Sequence, residues 1–278
     1  MNDSPSRAAT GGHASRSAAD RIEMPQPVSE IVDILADMPG AVAVVLGGSR
    51  GLGRIDAASD WDLGVYYRGA LDLTALGTRG VVYPPGSWGR VMNGGAWLRC
   101  GDAKVDVLLR DLDVVAQWSE RARRGEYEVD ALLGYLAGVP TYCLCAELAS
   151  CRRLRGELPA PLSFPPELAA AAPPRWRFHR SFSLDYARMH AARGDVAGAG
   201  GQVAKAIMEE AHAIVCQQAR WVLNEKRLIG AAGLDALQAH FASIPHQPAE
   251  LVRWVDAVAR ELDARGGEPL APPDSLAR

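Results

Sequence analysis

The sequence is short of cysteine, of net charge and of long apolar stretches. Its 278 residues contain 5 cysteines, an odd and sparse set that argues against the disulfide framework of a secreted protein. A net charge of -3 gives no general attraction to nucleic acid or to an anionic membrane. No apolar run approaches the roughly 20 residues that a membrane-spanning helix needs. We therefore expect a soluble cytoplasmic protein with reduced thiols and no membrane association, and a nucleic-acid partner is disfavoured.

The composition is that of a globular chain, with 48% hydrophobic and 23% charged residues. Residues 1–26 are rich in Ala, Ser, Gly and Arg without apolar periodicity, which predicts a disordered arm, and residues 266–278 predict a flexible tail. Residues 27–125 have strand character, whereas residues 126–265 have apolar residues at helical spacing. The pattern predicts an α/β (α+β) fold in which a small mixed sheet is followed by an α-helical domain.

Local signals place the expected elements. A helix is expected from Pro27 through Leu35, a buried strand over 41–46, a second strand over 63–67, and a hairpin of strands 96–100 and 104–109 joined by Gly101-Asp102. Farther along, an early helix is expected near residues 142–155. Several prolines between 159 and 174 predict a linker to the main helices.

A glycine cluster directly follows the first predicted strand, in Val45-Leu-Gly-Gly-Ser-Arg-Gly-Leu-Gly-Arg54. Glycine lets backbone N–H groups approach an anionic oxygen closely, so phosphate is the expected guest. The cluster does not end as a Walker A loop does. A dehydrogenase-type dinucleotide loop is also excluded, because the next strand begins at Leu63 before a full helix could form. None of the 7 tyrosines has the lysine four places on that such an enzyme uses.

Carboxylates follow the glycine cluster. Asp60 and Asp62 stand at the start of the second strand, where side chains two apart point to the same face. Asp106, on a strand that could lie alongside, can supply a third carboxylate. A second Asp-x-Asp, Asp111 to Asp113, is interpreted as a helix start, where acidic residues suit the helix dipole. The register predicts a metal site formed by Asp60, Asp62 and Asp106.

Together these elements resemble the nucleotidyltransferase superfamily typified by DNA polymerase beta and by the antibiotic nucleotidyltransferases. The resemblance covers about residues 28–115 and rests on three motifs: Leu46-Gly-Gly-Ser49, Ser59-Asp-Trp-Asp-Leu63 and Val105-Asp-Val107. It implies that residues 27–125 are the nucleotidyltransferase domain and that Asp60, Asp62 and Asp106 are catalytic and bind two Mg²⁺ ions. It further implies that the nucleotide-binding residues are Gly47, Gly48, Ser49, Arg50 and Ser59.

The function implied by the resemblance is transfer of a nucleoside monophosphate to a hydroxyl group of a small molecule such as an aminoglycoside-like antibiotic, with release of pyrophosphate. ATP is the expected donor and AMP the expected group, although another nucleoside triphosphate fits the same chemistry. Protein nucleotidylation, transfer to an RNA end, and a non-catalytic nucleotide-binding or toxin-neutralising partner remain alternatives. The acceptor, the base preference and the oligomeric state are not indicated by the sequence.

Other residues are given more ordinary interpretations. A transferase needs residues on the far side of its active site to position the acceptor, and the candidates for this acceptor wall are Glu209, Glu210 and residues 220–226. Cys143, Cys145 and Cys151 are interpreted as small buried thiols because no histidine or second cysteine pair stands at zinc spacing. Residues 175–180 predict a helix with inward aromatics. Ordinary helix positions are expected for His179, His190 and His212.

Overall fold

The computed structural model describes residues 23–53 and 60–266. Their main sheet has six strands in the order β3-β4-β5-β2-β1-β8. The strands are β1 (Ala41–Leu46), β2 (Trp61–Tyr67), β3 (Gly80–Tyr83), β4 (Gly94–Cys100), β5 (Ala103–Asp111) and β8 (Arg152–Gly156), with a separate two-stranded ladder of β6 (Val129–Asp130) and β7 (Val139–Pro140). β2 and β5 run parallel, whereas the other neighbouring pairs run antiparallel. The expected mixed sheet followed by helices is therefore confirmed.

Helices pack on both faces of the sheet and continue beyond it. They are α1 (Gln26–Asp37), α2 (Gly48–Gly51), α3 (Gly89–Met92), α4 (Leu112–Arg123), α5 (Cys143–Ser150), α6 (Pro166–Ala192), α7 (Val196–Gln217), α8 (Leu228–Ala231) and α9 (Pro248–Gly266), with 3-10 turns at Thr74–Leu76 and Asp235–Ser243. None of the helices in the described ranges is long and apolar enough to cross a membrane. The predicted arm and tail lie, apart from residues 23–26 and 266, outside the described residues.

The helix α1 covers one face of the sheet. Its buried residues Val28, Ile31, Val32 and Leu35 repeat at the spacing of a single helical face, and Pro27 stands in its first turn, as expected. They pack against alternate residues of β2 and β5. The opposite face carries α4 and α5, so the two faces of the sheet have separate cores.

A buried arginine fastens α5 to the sheet. Arg110 on β5 is 2% exposed, and its Nη2 donates to Glu147 Oε1 of α5 at 2.7 Å. A second guanidinium nitrogen donates to the backbone carbonyls of Met92 and Leu109. The guanidinium charge of Arg110 is paired and its N–H groups are hydrogen-bonded. This buried ion pair therefore holds α5 over the face of the sheet that carries Asp106.

The predicted helix near residues 142–155 is wrong at its end. α5 ends at Ser150, and residues Arg152–Gly156 form β8, which pairs with β1 at the sheet edge. Arg153 and Arg155 have exposed side chains, as suits a charged edge strand. The strand forms because β1 offers an unpaired edge, which is a tertiary contact that local periodicity does not reveal.

The predicted linker over residues 159–174 is wrong in its second half. α6 begins at Pro166 and continues through Pro173 and Pro174. Each internal proline removes one helix hydrogen bond, but the Ala-rich first turns favour the helix and Leu168 and Trp176 are fully buried. Burial of this helical face offsets the lost hydrogen bonds. The long helices α6, α7 and α9 then share one apolar core.

Candidate functional site

The glycine turn begins where β1 ends. The N–H of Gly47 donates to the carbonyl of Asp62 at 2.8 Å, which continues the β1–β2 ladder, and the N–H of Gly51 donates back to the carbonyl of Gly47 at 2.8 Å. The single helical turn α2 therefore starts directly at the strand end. A Cβ on Gly51 would lie 2.6 Å from the carbonyl oxygen of Leu46, so only glycine permits so tight a reversal.

Gly48 brings the turn against a carboxylate. Its φ of +57° lies in the left-handed region, and an added Cβ would lie 1.7 Å from Asp62 Oδ2 and 2.6 Å from Asp62 Cγ. The Asp62 side chain thus occupies the space that any other residue at position 48 would need. The sequence-predicted glycine and the sequence-predicted carboxylate are in direct contact.

Asp62 and Asp106 lie side by side on the two parallel strands. The register pairs Asp62 of β2 with Asp106 of β5, so both half-buried carboxylates project from the same face of the sheet. Burial raises the pKa of Asp62, and the negative charges of Asp106 and Asp60 raise it further. Burial also raises the pKa of Asp106, and Asp60 again acts in the same direction. The three carboxylates are therefore close enough to repel one another.

A divalent cation fits the chemistry of this pair. Mg²⁺ prefers carboxylate oxygens, and a cation would relieve the repulsion that raises both pKa values. Within residues 23–53 and 60–266, no three His, Cys, Asp or Glu side chains are gathered closely enough to form a complete metal site. Asp60 is exposed just before β2. That Asp60 acts as a third ligand stays a prediction.

The remaining predicted nucleotide-binding residues lie around the turn. Ser49 and Arg50 belong to α2, and the Arg50 guanidinium lies over the ring of Trp61 at 4.4 Å from its centroid. The positive charge of Arg50 lowers the pKa of Asp62, against the larger effects that raise it. Ser59 lies outside the described residues. Arg50 therefore adds positive charge beside the glycine turn.

A lysine from the helical half faces the two carboxylates. Lys226, in the loop between α7 and α8, lowers the pKa of both Asp62 and Asp106 through its charge. The preceding Glu225 accepts backbone hydrogen bonds from Leu136 at 2.8 Å and Ala137 at 2.7 Å, which anchors the loop. The sequence placed Lys226 only within a candidate acceptor wall. Its position near Asp106 depends on the packing of α7 and has no local signal.

An aromatic cluster lies beside Asp106 on the same sheet face. Trp97 of β4 pairs directly with Asp106 and is 53% exposed. Its ring centroid lies 4.9 Å from that of Tyr83 and 5.8 Å from that of Trp88. Sequence reasoning missed this cluster. Counting back from the Gly101-Asp102 turn of the predicted hairpin would have placed Trp97 opposite Asp106.

A cavity of about 460 Å³ lies between the β6–β7 segment and helices α6 and α7. We call it the Glu209 cavity; its lining consists of residues 129–132 and 135–138 with Phe178, His179, Phe182, Ser183, Lys205 and Glu209. Glu209 is 2% exposed, and its Oε2 has no hydrogen-bond partner in the described part of the chain. Burial raises the pKa of Glu209 to about 7, Glu225 raises it further, and Ser183 and Lys205 oppose the rise.

Glu210 does not belong to the cavity, so its interpretation as an acceptor residue is wrong. It is fully buried and accepts from Arg177 Nε at 3.1 Å and Arg180 Nη1 at 2.7 Å, while Arg180 also pairs with Asp263 of α9 at 2.8 Å. Successive residues of a helix point in different directions, so only Glu209 reaches the cavity. The Glu210 ion pairs join α6, α7 and α9.

The histidine and cysteine positions are mostly ordinary, as expected. His190 Nδ1 lies 2.7 Å from Asp195 Oδ2, and His212 is buried against Trp176 at a centroid distance of 4.4 Å. Burial lowers the pKa of His212 to about 3 and lowers that of His179, which lines the Glu209 cavity. Trp176 is fully buried, as expected for the aromatics of residues 175–180, whereas Phe178 is half-buried and lines the Glu209 cavity. Cys143 and Cys145 are buried and Cys151 is half-buried.

Comparisons with known proteins find distant likenesses among solved structures. No protein-family model matches the chain, and no curated protein sequence matches it. A nucleotidyltransferase-like protein from Exiguobacterium sibiricum 255-15 is 13% identical at a TM-score of 0.41, covering 87% of this chain and 76% of that one. An aminoglycoside 6-adenyltransferase from Bacillus subtilis is 9% identical at a TM-score of 0.30, covering 90% of this chain and 92% of that one. Because both TM-scores are low, the residues of this chain carry the functional conclusion.

Proposed function

We propose that the chain is a Mg²⁺-dependent nucleotidyltransferase that moves a nucleoside monophosphate, AMP from ATP, to a hydroxyl group of a small molecule and releases pyrophosphate. The observation that carries this proposal is the contact between Gly48 and the Asp62 carboxylate, with Asp106 alongside on the neighbouring parallel strand. Nucleotidyl transfer requires a glycine turn that phosphate oxygens can approach and carboxylates that hold metal ions beside it, and this contact supports that arrangement.

The glycine turn would hold the triphosphate. The Gly47 N–H is used in the β1–β2 ladder, but the backbone N–H groups of Gly48 and Ser49 can approach phosphate oxygens because positions 47 and 48 carry no side chain, and the Ser49 hydroxyl adds a donor. Arg50 and Lys226 bring positive charge near Asp62. These cations would stabilise the charge on the departing pyrophosphate.

The carboxylates would organise the reacting atoms. Asp62 and Asp106, joined by Asp60, would hold two Mg²⁺ ions, which when bound lower the pKa of the acceptor hydroxyl and neutralise phosphate charge. Asp106 would also take the proton of the acceptor hydroxyl. It lies on the side of Asp62 away from β1, because β5 follows β2 in the sheet order.

The sheet order also gives the two substrates different sides. The glycine turn follows β1, the carboxylates lie on β2 and β5, and Trp97 lies on β4. With the triphosphate at the β1 side, the acceptor would approach from the side of Trp97. Exposed aromatic rings on that side offer apolar and C–H contacts to a ring-containing acceptor.

The proposal is tested with purified protein, Mg²⁺, ATP labelled at its α-phosphate and a panel of small hydroxyl compounds. Labelled product and free pyrophosphate are expected, and Asp62→Asn and Asp106→Asn are each expected to lower the rate by about 10²-fold or more. Asp113→Asn is the matched control, because Asp113 is the exposed end of the other Asp-x-Asp. Equal rates for Asp62→Asn and Asp113→Asn would exclude the proposed site. Label on the protein itself, without an acceptor, would indicate protein nucleotidylation instead.

A further inference from the structure

We propose that the Glu209 cavity recognises the acceptor of the transferase, and that it takes a compound with a single protonated amine on a largely apolar frame rather than a polycationic aminoglycoside. The inference rests on the proposed function, because it takes the bound compound to be the acceptor. The binding specificity can nevertheless be measured without any nucleotide. Four observations carry it: the place of the cavity, the unpartnered Glu209 oxygen, the charges that face it and the apolar lining.

The cavity adjoins the carboxylate site through one short segment of chain. Leu136 and Ala137 form part of its wall, and their backbone N–H groups bind the carboxylate of Glu225. The next residue, Lys226, faces Asp62 and Asp106. The cavity wall is therefore linked through residues 225–226 to the residues that would carry out the transfer.

Glu209 is a buried hydrogen-bond acceptor with one unused oxygen. The carboxylate has a side-chain hydrogen bond with Ser183, and its Oε1 lies 3.8 Å from the Lys205 ammonium, which is too long for a direct hydrogen bond. Its Oε2 has no partner among the described residues. Leaving a buried carboxylate oxygen unsatisfied is costly, so such groups mark sites completed by a ligand. A donor that is also a cation, such as an ammonium group, would satisfy the oxygen and stabilise the ionised carboxylate.

The other charges in the cavity limit the ligand to one positive charge. Asp130 is engaged by Arg90, whose Nε donates to Oδ1 at 2.9 Å. Lys205, on the same helix as Glu209, contributes a positive charge, and His179 is held neutral because its pKa is lowered. Only Glu209 remains to pair with a ligand cation. A polycation would bring several charges toward Lys205 without a carboxylate for each.

The rest of the lining is apolar and aromatic. Phe178 and Phe182 lie edge to face with ring centroids 5.3 Å apart, and Phe182 is 54% exposed at the mouth. Leu132, Tyr135 and Leu136 line the cavity from the β6–β7 side. These side chains contact a ring or an aliphatic frame favourably but offer little to a molecule covered with hydroxyl and amino groups.

Binding is tested in the full-length protein by ligand-observed NMR titration with 2-phenylethylamine, its neutral analogue 2-phenylethanol, and the polycation kanamycin. The amine is expected to bind about tenfold more tightly than the alcohol, because it forms a charge-assisted hydrogen bond with Glu209. Glu209→Gln keeps the shape of the side chain and is expected to remove that difference. Lys205→Met is the opposite control, compared at a pH well above the pKa of Glu209 because the loss of Lys205 also raises that pKa; amine binding is then expected to strengthen, because a repulsive charge is removed.

The pH dependence gives a second readout. The groups facing Glu209 are Lys205 on its own helix, Ser183 and His179 on α6, Asp130 on β6 and Glu225 in the following loop. Because the pKa of Glu209 is raised to about 7, amine affinity is expected to increase about tenfold from about pH 6 to pH 8. Glu209→Gln is expected to abolish this increase.

Equal affinity for the amine and the alcohol, amine binding unchanged by Glu209→Gln, or tighter binding of kanamycin than of the amine would each overturn the inference. Asp62→Asn separates the two proposals, because it should stop nucleotidyl transfer and leave amine binding unchanged. If amine binding is specific for Glu209 and no transfer is detected, the cavity specificity stands and the proposed function fails. If transfer occurs without amine selectivity, the proposed function stands and the cavity specificity fails.

Discussion

Replacing Gly48 with alanine tests whether the glycine turn and Asp62 form one site. The substitution has two separable costs. A non-glycine residue at a φ of +57° costs about 1–2 kcal/mol, and the new Cβ would lie 1.7 Å from Asp62 Oδ2, so the carboxylate or the turn must move. Forcing an extra methyl into a filled space adds about 1–3 kcal/mol.

Gly53→Ala is the matched control for this experiment. Its φ of +70° imposes a similar backbone strain, but no atom of the described structure lies within 4 Å of the added Cβ. Urea unfolding measures the free energy of unfolding of both variants, and pyrophosphate release measures their activity. The difference between the variants isolates the collision with Asp62.

We expect Gly53→Ala to lose about 1–2 kcal/mol of stability and to keep most of its activity. Gly48→Ala should be less stable than Gly53→Ala, and its activity should fall by about 10²-fold, because a displacement of about 1 Å in a reacting site has that effect. Equal activity of the two variants would refute the reasoning that Asp62 acts beside the glycine turn.

Three further predictions follow from the same contacts. Because burial and Asp106 raise the pKa of Asp62 in the folded chain, this group lowers stability progressively as the pH rises from its ordinary pKa to the raised one, and the full cost persists above the raised pKa. Asp62→Asn should therefore raise the melting temperature at neutral pH without Mg²⁺, and should lose the stabilisation that Mg²⁺ with ATP gives the parent protein. Lys226→Met should raise KM for ATP about tenfold, whereas the KM of Lys226→Arg should lie close to that of the parent protein. Glu147→Ala should destabilise the fold by about 3–5 kcal/mol in urea unfolding, because it leaves the Arg110 charge buried without its partner.

The sheet and the glycine turn could be predicted because their signals are local. The uninterrupted apolar run of β1 indicates a strand buried on both faces, and the Gly101-Asp102 turn fixes the register of β4 and β5. The alternation of side chains along β2 then places Asp62 on one face. The contact of Asp62 with Gly48 follows from the antiparallel pairing of β1 with β2, which sets Leu46 opposite Leu63.

The rest depends on contacts between distant segments. β8 is a strand because β1 has an edge to pair with, and Pro173 and Pro174 are helical because their neighbours are buried. Lys226 reaches Asp106 only through the packing of α7, and Glu225 holds it there through the β6–β7 loop. The unpartnered oxygen of Glu209 depends on which side chains surround it, which a sequence does not show.

The central claim is that Asp62 and Asp106 bind a divalent cation together with a nucleoside triphosphate at the glycine turn. Mn²⁺, a paramagnetic substitute for Mg²⁺, can be titrated by electron paramagnetic resonance with and without a non-hydrolysable ATP analogue. We predict tight Mn²⁺ binding that needs the nucleotide and is lost in both Asp62→Asn and Asp106→Asn but kept in Asp113→Asn. Mn²⁺ and nucleotide binding that are the same in all three variants would contradict the account.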